Sequence, residues 1–475
     1  MLRERPTHLP STRTSTASSS RCTSVRRAAT SRCAEHRSRR DEHTWRRMST
    51  PVRTSAPAEF HNPGADSPTW RAHAEGVPGR PLRVAIHPRW VIALGVTAVV
   101  AVLGAWAMGP FVPTPPMAIE DLPLLALVSL FGAAAAVVWI AGIRLSDTTD
   151  VLSTRLGLGE ALGGLLLLAV ATNLPEVAIV ASAAMGGDLG LAIGNILGGI
   201  AIQTVVLVIV DRFGLGARIG LTYRAASLVL VLEGVLVIAV LILAIMATRL
   251  PASLIVFRIA PGDVAIVALW LVGVWLVAQA RRGLPWHDPR GTAPDGQQHS
   301  MGMAEQVKEA AARESGMRTL HAGIVFTLAA VATLAAGVVL EVSGDAIAQH
   351  IGLSGVLFGA TVLAAATALP EISTGLGSVR LGDYQLAVSD IFGGNAFLPV
   401  LFLVATVLAG RSVLPLAQDT DIYLAGLGIL LTAVYITGLI FRPRRQVLGM
   451  GVDSLAVLVL YVVGTAGLVL VAGRT

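Results

Sequence analysis

Two stretches of this sequence overlay without a gap when 195 is added to the residue number. Leu156-Gly157-Leu158 and Ile351-Gly352-Leu353 open them, and Ala171-Thr172-Asn173-Leu174-Pro175-Glu176 matches Ala366-Thr367-Ala368-Leu369-Pro370-Glu371. Asp188 then falls on Asp383, Leu191-Ala192 on Leu386-Ala387, and Gly198-Gly199 on Gly393-Gly394. Each copy sets a proline and a glutamate inside an apolar segment. A chain with this duplication must open two helices and house two carboxylates within a hydrophobic interior. Ionisable groups there are costly and mark function by default. A duplicated, helix-breaking acidic motif is a pattern of transporters built from two halves.

Composition fixes the solvent. The hydrophobic fraction is 54%, the charged fraction 14% and the mean hydropathy +0.69. A soluble chain carries about a quarter charged residues. Apolar runs of about 20 residues, the length that crosses a bilayer as helix, recur throughout. The expected fold is an all-α polytopic membrane protein. Eleven spans are expected, at 90–109, 121–144, 156–184, 188–210, 224–247, 262–280, 319–341, 352–379, 384–409, 421–441 and 451–472. The first stands outside the duplication; the other ten form a core of two five-helix repeats, 121–280 and 319–472, joined by a cytoplasmic linker at 281–318. Within the linker, Ala304–Arg313 reads as a short helix.

An odd number of spans per half makes the two copies enter the membrane from opposite sides, so inverted repeats are expected. The arginines test this independently, since cytoplasmic loops carry the excess of positive charge. Arg155, Arg212, Arg218, Arg224, Arg281, Arg282, Arg290, Arg380, Arg442, Arg444 and Arg445 fall on one side if the N-terminus is cytoplasmic. Arg249, Arg258, Arg411 and Arg474 fall on the other. Residues 1–89 read as a disordered basic segment, with Met48 as an alternative start, and take no part in the functional argument. Both cysteines, Cys22 and Cys33, lie there, so the membrane part has no disulfide or thiol chemistry.

The chemistry of the repeated motif follows from its proline. Pro175 lacks an N–H and its ring clashes with the carbonyl of Ala171; Pro370 does the same to Ala366. Backbone opened at membrane depth is tolerated only when buried in protein or lining a wet cavity. The freed carbonyls, the hydroxyls of Thr172 and Thr367, and the carboxylates of Glu176 and Glu371 are hard oxygen donors, suited to calcium and sodium. Two carboxylates meeting at a pseudo-twofold axis neutralise one divalent cation; without it they repel and tend to hold a proton. The following spans add Asn173, Asn195, Gln203, Asp390 and Asn395 as further polar candidates, with Asp390 favoured as functional because a buried charge needs a stronger reason than a buried amide. Glu233 stands alone in its span and reads equally as a proton relay or a satisfied structural acid. Glu160, Asp188, Asp263, Asp383 and Asp453 lie near span ends, where interfacial solvation is expected. His287 and His299 have no partner spacing.

These motifs resemble those of the cation/calcium exchanger superfamily, the sodium/calcium-exchanger-like membrane proteins. That family carries two inverted repeats, each with a Gly-Thr-Ser-x-Pro-Glu-like motif followed by a Gly-Asn-x-x-Gly-Ser-like motif. The resemblance covers about residues 121–472. It implies a ten-helix fold with ions bound mid-membrane, and exchange of calcium or another cation against sodium or protons. By resemblance, Thr172 and Glu176 match the first motif's ligands, and Thr367 and Glu371 the second's. Departures are Ala171 and Ala366 for glycine, Asn173 and Ala368 for serine, Gly199 and Gly394 for the later serine, and Ser389-Asp390 for Gly-Asn. Gln203 in the first half is answered by Leu398 in the second. The calcium-type carboxylate pair is intact while several sodium-type ligands are missing, so proton coupling through Glu176 and Glu371 fits better.

The expected function is therefore a secondary antiporter of the cell membrane. Its substrates are inorganic cations, calcium foremost, with protons or sodium as counter-ion. The expected ion ligands are Thr172, Asn173, Glu176, Gln203, Thr367, Glu371 and Asp390. No bound cofactor and no nucleic-acid partner is expected; the lipid bilayer is the surrounding. The alternatives are a monovalent cation/proton antiporter and a non-exchanging ion pore or regulatory membrane protein. An intramembrane hydrolase lacks a nucleophile or a His/Cys ligand set beside the two glutamates.

Overall fold

The computed structural model describes residues 122–155, 170–215, 219–225, 227–282 and 319–473. The expected span at 90–109, the segment before it, the expected linker residues 283–318 with Ala304–Arg313, His287 and His299, and residues 156–169 with Glu160 lie outside the described residues. The first half consists of α1 (Leu124–Arg155), α2 (Leu174–Gly186), α3 (Leu189–Gly214), the short α4 (Leu221–Ala225), α5 (Leu228–Ala247) and α6 (Pro261–Arg282). The second begins with α7 (Thr319–Ile351). A bent segment follows: α8 (Gly355–Phe358), a π-helical turn at Gly359–Leu363, α9 (Ala364–Thr367) and α10 (Leu369–Arg380). Then come α11 (Tyr384–Phe397), a tight 3-10 turn through Pro399, α12 (Leu401–Ala409) and α13 (Asp419–Phe441). A two-residue hairpin, β1 (Gln446–Val447) with β2 (Met450–Gly451), leads into α14 (Val452–Ala472).

Among the described residues eight helices are long and apolar enough to cross a membrane; the segment from Gly355 to Arg380, bent by 42° after Thr367, makes a ninth candidate. The short helix α2 is apolar as well. Of the expected span 156–184 only residues 170–184 are described. Within the described residues, the expected spans from 188 onward agree with the helices within a few residues, except that α7 runs on to Ile351, as α1 does to Arg155. At 32 and 33 residues these helices are about 48 Å long, against about 30 Å of hydrocarbon, so they tilt or project. The interval of 195 recurs in the elements: α1 and α7 start at Leu124 and Thr319, α2 and α10 at Leu174 and Leu369, α3 and α11 at Leu189 and Tyr384.

Burial ranks the helices. α3 is the most enclosed, with 83% of its most apolar window buried, whereas α14 turns an apolar face outward through Val459, Val463 and Leu470. The outward apolar surface suits lipid, and the packed interior needs small residues, because lipid tails give helices no hydrophobic reason to associate. Gly198 of α3 illustrates this: a methyl group there would overlap the Cα of Ala360 in the π-helical turn, so backbone rests on backbone. A methyl group on Gly142 of α1 would lie 2.6 Å from Pro370, and one on Gly337 of α7 would lie 3.0 Å from the Pro175 carbonyl. Gly337 is Gly142 plus 195. Each half's first helix therefore leans on the proline break of the other half.

Arg224 donates to the Tyr384 hydroxyl at 2.7 Å, Arg442 and Arg444 stack over the Tyr223 ring, and Arg212 lies against Gly449. These contacts join arginines of both halves to loops of the other. The Arg444 guanidinium holds the Tyr223 hydroxyl below the usual phenol range. Arg258, from the other group, donates to the Val407 carbonyl and lies against Gly410, beside Arg411.

Candidate functional site

Both motifs break their helices in the same way. Asn173 and Ala368 sit just before α2 and α10 with φ, ψ of −89°, 13° and −79°, 2°, between helical and extended backbone. Pro175 and Pro370 occupy the first turn of the new helix, where a missing N–H costs nothing. Glu176 and Glu371 follow in that same turn. The positive end of each helix dipole offsets part of the cost of a buried carboxylate. The next helix of each half is also started alike: Asp188 accepts from the Leu191 N–H at 3.1 Å and Asp383 from the Leu386 N–H at 2.9 Å. Those two aspartates are helix caps, which accounts for their recurrence without any role in binding.

The breaks meet in the interior. Glu176 is 0% exposed and Glu371 2%, and the Glu176 carboxylate lies near enough to act on Glu371. Gln203 of α3 donates from Nε2 to the Asn173 Oδ1 at 3.3 Å and to the Glu176 Oε1 at 3.4 Å. The Thr367 hydroxyl lies beside Glu176 from the opposite half while donating to the Ala364 carbonyl at 3.2 Å. Thr172 is fully buried on the first break. Asp390, 5% exposed, faces Glu371, and its Oδ2 accepts from the Thr374 hydroxyl at 2.7 Å. Asn173, Glu176, Gln203, Thr367, Glu371 and Asp390 thus lie within one buried polar cluster that draws on both halves. Both carboxylate oxygens of Glu371, Oε2 of Glu176 and Oε1 of Gln203 accept no hydrogen bond. Buried oxygens in that state are costly unless something else satisfies them. No group of three His, Cys, Asp or Glu side chains forms a metal cage among the described residues. A cation held here would need the amide, hydroxyl and backbone oxygens around the carboxylates as well.

Three features were not legible in the sequence. Thr374, one turn after Glu371, orients Asp390 and also donates to the Glu371 carbonyl at 3.2 Å. Gly394 approaches so closely that a methyl group there would lie 3.0 Å from Asn173 Nδ2, so the second half's backbone closes over the first half's amides. Asn395 donates to the Thr204 hydroxyl at 3.1 Å, a contact between the two central helices rather than toward the carboxylates. Asn195 is fully buried, and neither of its amide atoms has a hydrogen-bond partner.

The remaining acids divide differently from expectation. Glu233 is paired: Arg281 donates to its Oε1 at 2.6 Å and to the Ser389 hydroxyl at 2.8 Å. The pairing satisfies one of its carboxylate oxygens; Oε2 accepts no hydrogen bond. Asp453 and Asp263 are not solvated at an interface but buried, Asp453 accepting from the Thr222 hydroxyl. Both lie in the first turn of a helix and are covered by neighbouring elements, Asp453 by α4 and α13 and Asp263 by the loops after α5 and α12. Span-end position alone does not report that cover.

The family model for the sodium/calcium exchanger protein matches residues 125–279 and 320–468. The chain is 28% identical over 285 residues to the inner membrane protein YrbG of Escherichia coli (strain K12), covering 58% of this chain and 78% of that protein. It is 27% identical over 273 residues to the candidate antiporter CaxA of Alkalimonas amylolytica, covering 57% and 77% respectively. Among solved structures, the H+/Ca2+ exchanger CAX overlays with a TM-score of 0.49 at 11% identity, covering 78% of this chain and 86% of that one.

Proposed function

Because the chain belongs to the sodium/calcium exchanger family, we propose that it is a secondary antiporter of the cell membrane that exchanges calcium for protons at Glu176 and Glu371. The observation that carries the reading is the buried carboxylate pair, one from each half, with three of its four oxygens accepting nothing from the protein. A calcium ion or two protons would give the pair the same net charge, which is the condition for exchanging one for the other. Thr172, Asn173, Gln203, Thr367 and Asp390 complete the ligand set in this reading, as hard oxygens around a hard cation. The reciprocal seating of Gly142 on Pro370 and Gly337 on Pro175 supports a pseudo-twofold relation between the halves. With five membrane segments per half, that relation is an inversion. Alternating access then exposes the pair to one side at a time.

The test is radiolabelled calcium uptake into proteoliposomes under an imposed proton gradient or sodium gradient. Uptake should follow the proton gradient and fall to the level of protein-free vesicles in Glu176→Gln and in Glu371→Gln. Uptake driven by sodium alone would overturn the counter-ion. Flux down a calcium gradient with no counter-ion dependence would establish a pore instead.

A further inference from the structure

Outside the central pair, one buried carboxylate stands unanswered next to a cavity. Asp263, in the first turn of α6, is 1% exposed, and neither of its oxygens has a hydrogen-bond partner. The Thr406 hydroxyl and the Ala260 backbone come within weak hydrogen-bonding reach of it, and neither contact closes to a full hydrogen bond. Asp263 lines a small cavity with Ser412, Leu414, Ala247, Leu250 and Pro251, with room for about one water-sized occupant. Arg258 directs its guanidinium to the Val407 carbonyl and Gly410, and no ion pair of Asp263 with an arginine occurs among the described residues. Asp263 sits at the positive end of α6, which favours the ionised carboxylate, while its burial penalises that form, so the charged state needs a counter-ion. The Thr406 hydroxyl already accepts from the Val413 N–H at 3.3 Å, leaving its proton and second lone pair facing the acid.

We propose that Asp263, Thr406 and Ser412 form a second cation site, for a single sodium-sized monovalent ion, separate from the exchange site. The donors are all hard oxygens, which select alkali or alkaline-earth ions over softer metals. One carboxylate and two hydroxyls balance a single positive charge, where calcium would be left with an uncompensated one in a buried space. The site lies at the opposite end of α6 from Arg281, eighteen residues or about 27 Å along the helix. Arg281 in turn bonds Ser389, beside Asp390. The cavity walls come from the loop after α5, the start of α6 and the loop after α12. An ion bound there ties the last helices of the first half to the second half.

The experiment uses the full chain in detergent with Glu176→Gln and Glu371→Gln together, so that the exchange carboxylates cannot report. Thermal unfolding is followed as sodium chloride replaces choline chloride at constant ionic strength. Sodium should raise Tm saturably by several degrees, and adding Asp263→Asn should abolish the rise. Where Asp263→Asn does not yield folded protein, Ser412→Ala should move the half-saturating sodium concentration upward by about tenfold, the loss of roughly one ligand. No sodium-dependent shift, a shift that survives Asp263→Asn, or a shift given by calcium but not sodium would each overturn the proposal. Failure of calcium exchange in the separate flux assay would leave this result unaffected.

Discussion

At the scale of single residues, the structure separates acids that are answered from acids that are not. Glu233 and Arg281 hold each other at 2.6 Å, whereas Glu176 and Glu371 meet no basic partner among the described residues. Removing one member of a buried ion pair strands the other, at a cost of about 3 kcal/mol. Arg281→Met should therefore lower unfolding free energy in mixed micelles by about that amount. Glu233→Leu with Arg281→Met should recover most of it, because two apolar groups leave nothing unpaired. A double variant no more stable than Arg281→Met alone would count against the pairing. In the sequence the carboxylate pair was legible because it is written twice at one interval. The Glu233 pairing was not, since its partner lies 48 residues on, on another helix, and nothing local marks the two as neighbours. Asp263 was misjudged for a related reason: its position in the chain is a helix end, and it is enclosed by the loop after α5 together with the loop after α12 of the other half.

At the scale of elements, the helix breaks were legible and the close approaches were not. A proline four residues after an apolar run requires an opening whatever surrounds it, and both openings occur where Pro175 and Pro370 stand. Gly198 and Gly142, by contrast, look like any small residues of a membrane helix until the partner is known. The contact of α3 with the π-helical turn leaves no space for a side chain, so Gly198→Ala must displace backbone. It should reduce thermal stability and folded yield, by at least the 1–3 kcal/mol typical of overpacking. Gly132→Ala in α1, where a methyl group meets nothing within 4 Å, should be neutral or gain up to about 1 kcal/mol from helix propensity. Equal effects of the two substitutions in a detergent melt would contradict the backbone contact.

At the scale of the whole molecule, sidedness can be read directly, because both cysteines lie before the described region. With Cys22 and Cys33 replaced by serine, Gly186→Cys and Leu381→Cys place single thiols at equivalent exposed positions of the two halves. In right-side-out vesicles an impermeant maleimide should label one and spare the other, and inverted vesicles should reverse the choice. Labelling of both from one side would exclude the inverted arrangement. The composition and run lengths were enough to specify a helical membrane bundle. The way the halves grip each other needed coordinates, because Gly142 on Pro370 and Gly337 on Pro175 are contacts between residues about 160 or more positions apart. That mutual grip has a historical corollary. An ancestor consisting of one half would have had neither a brace for its own proline break nor a second carboxylate, and would have needed a second copy of itself to supply both. Fusion into one chain then freed the copies to diverge, which is why one half could acquire Gln203 and the other Asp390.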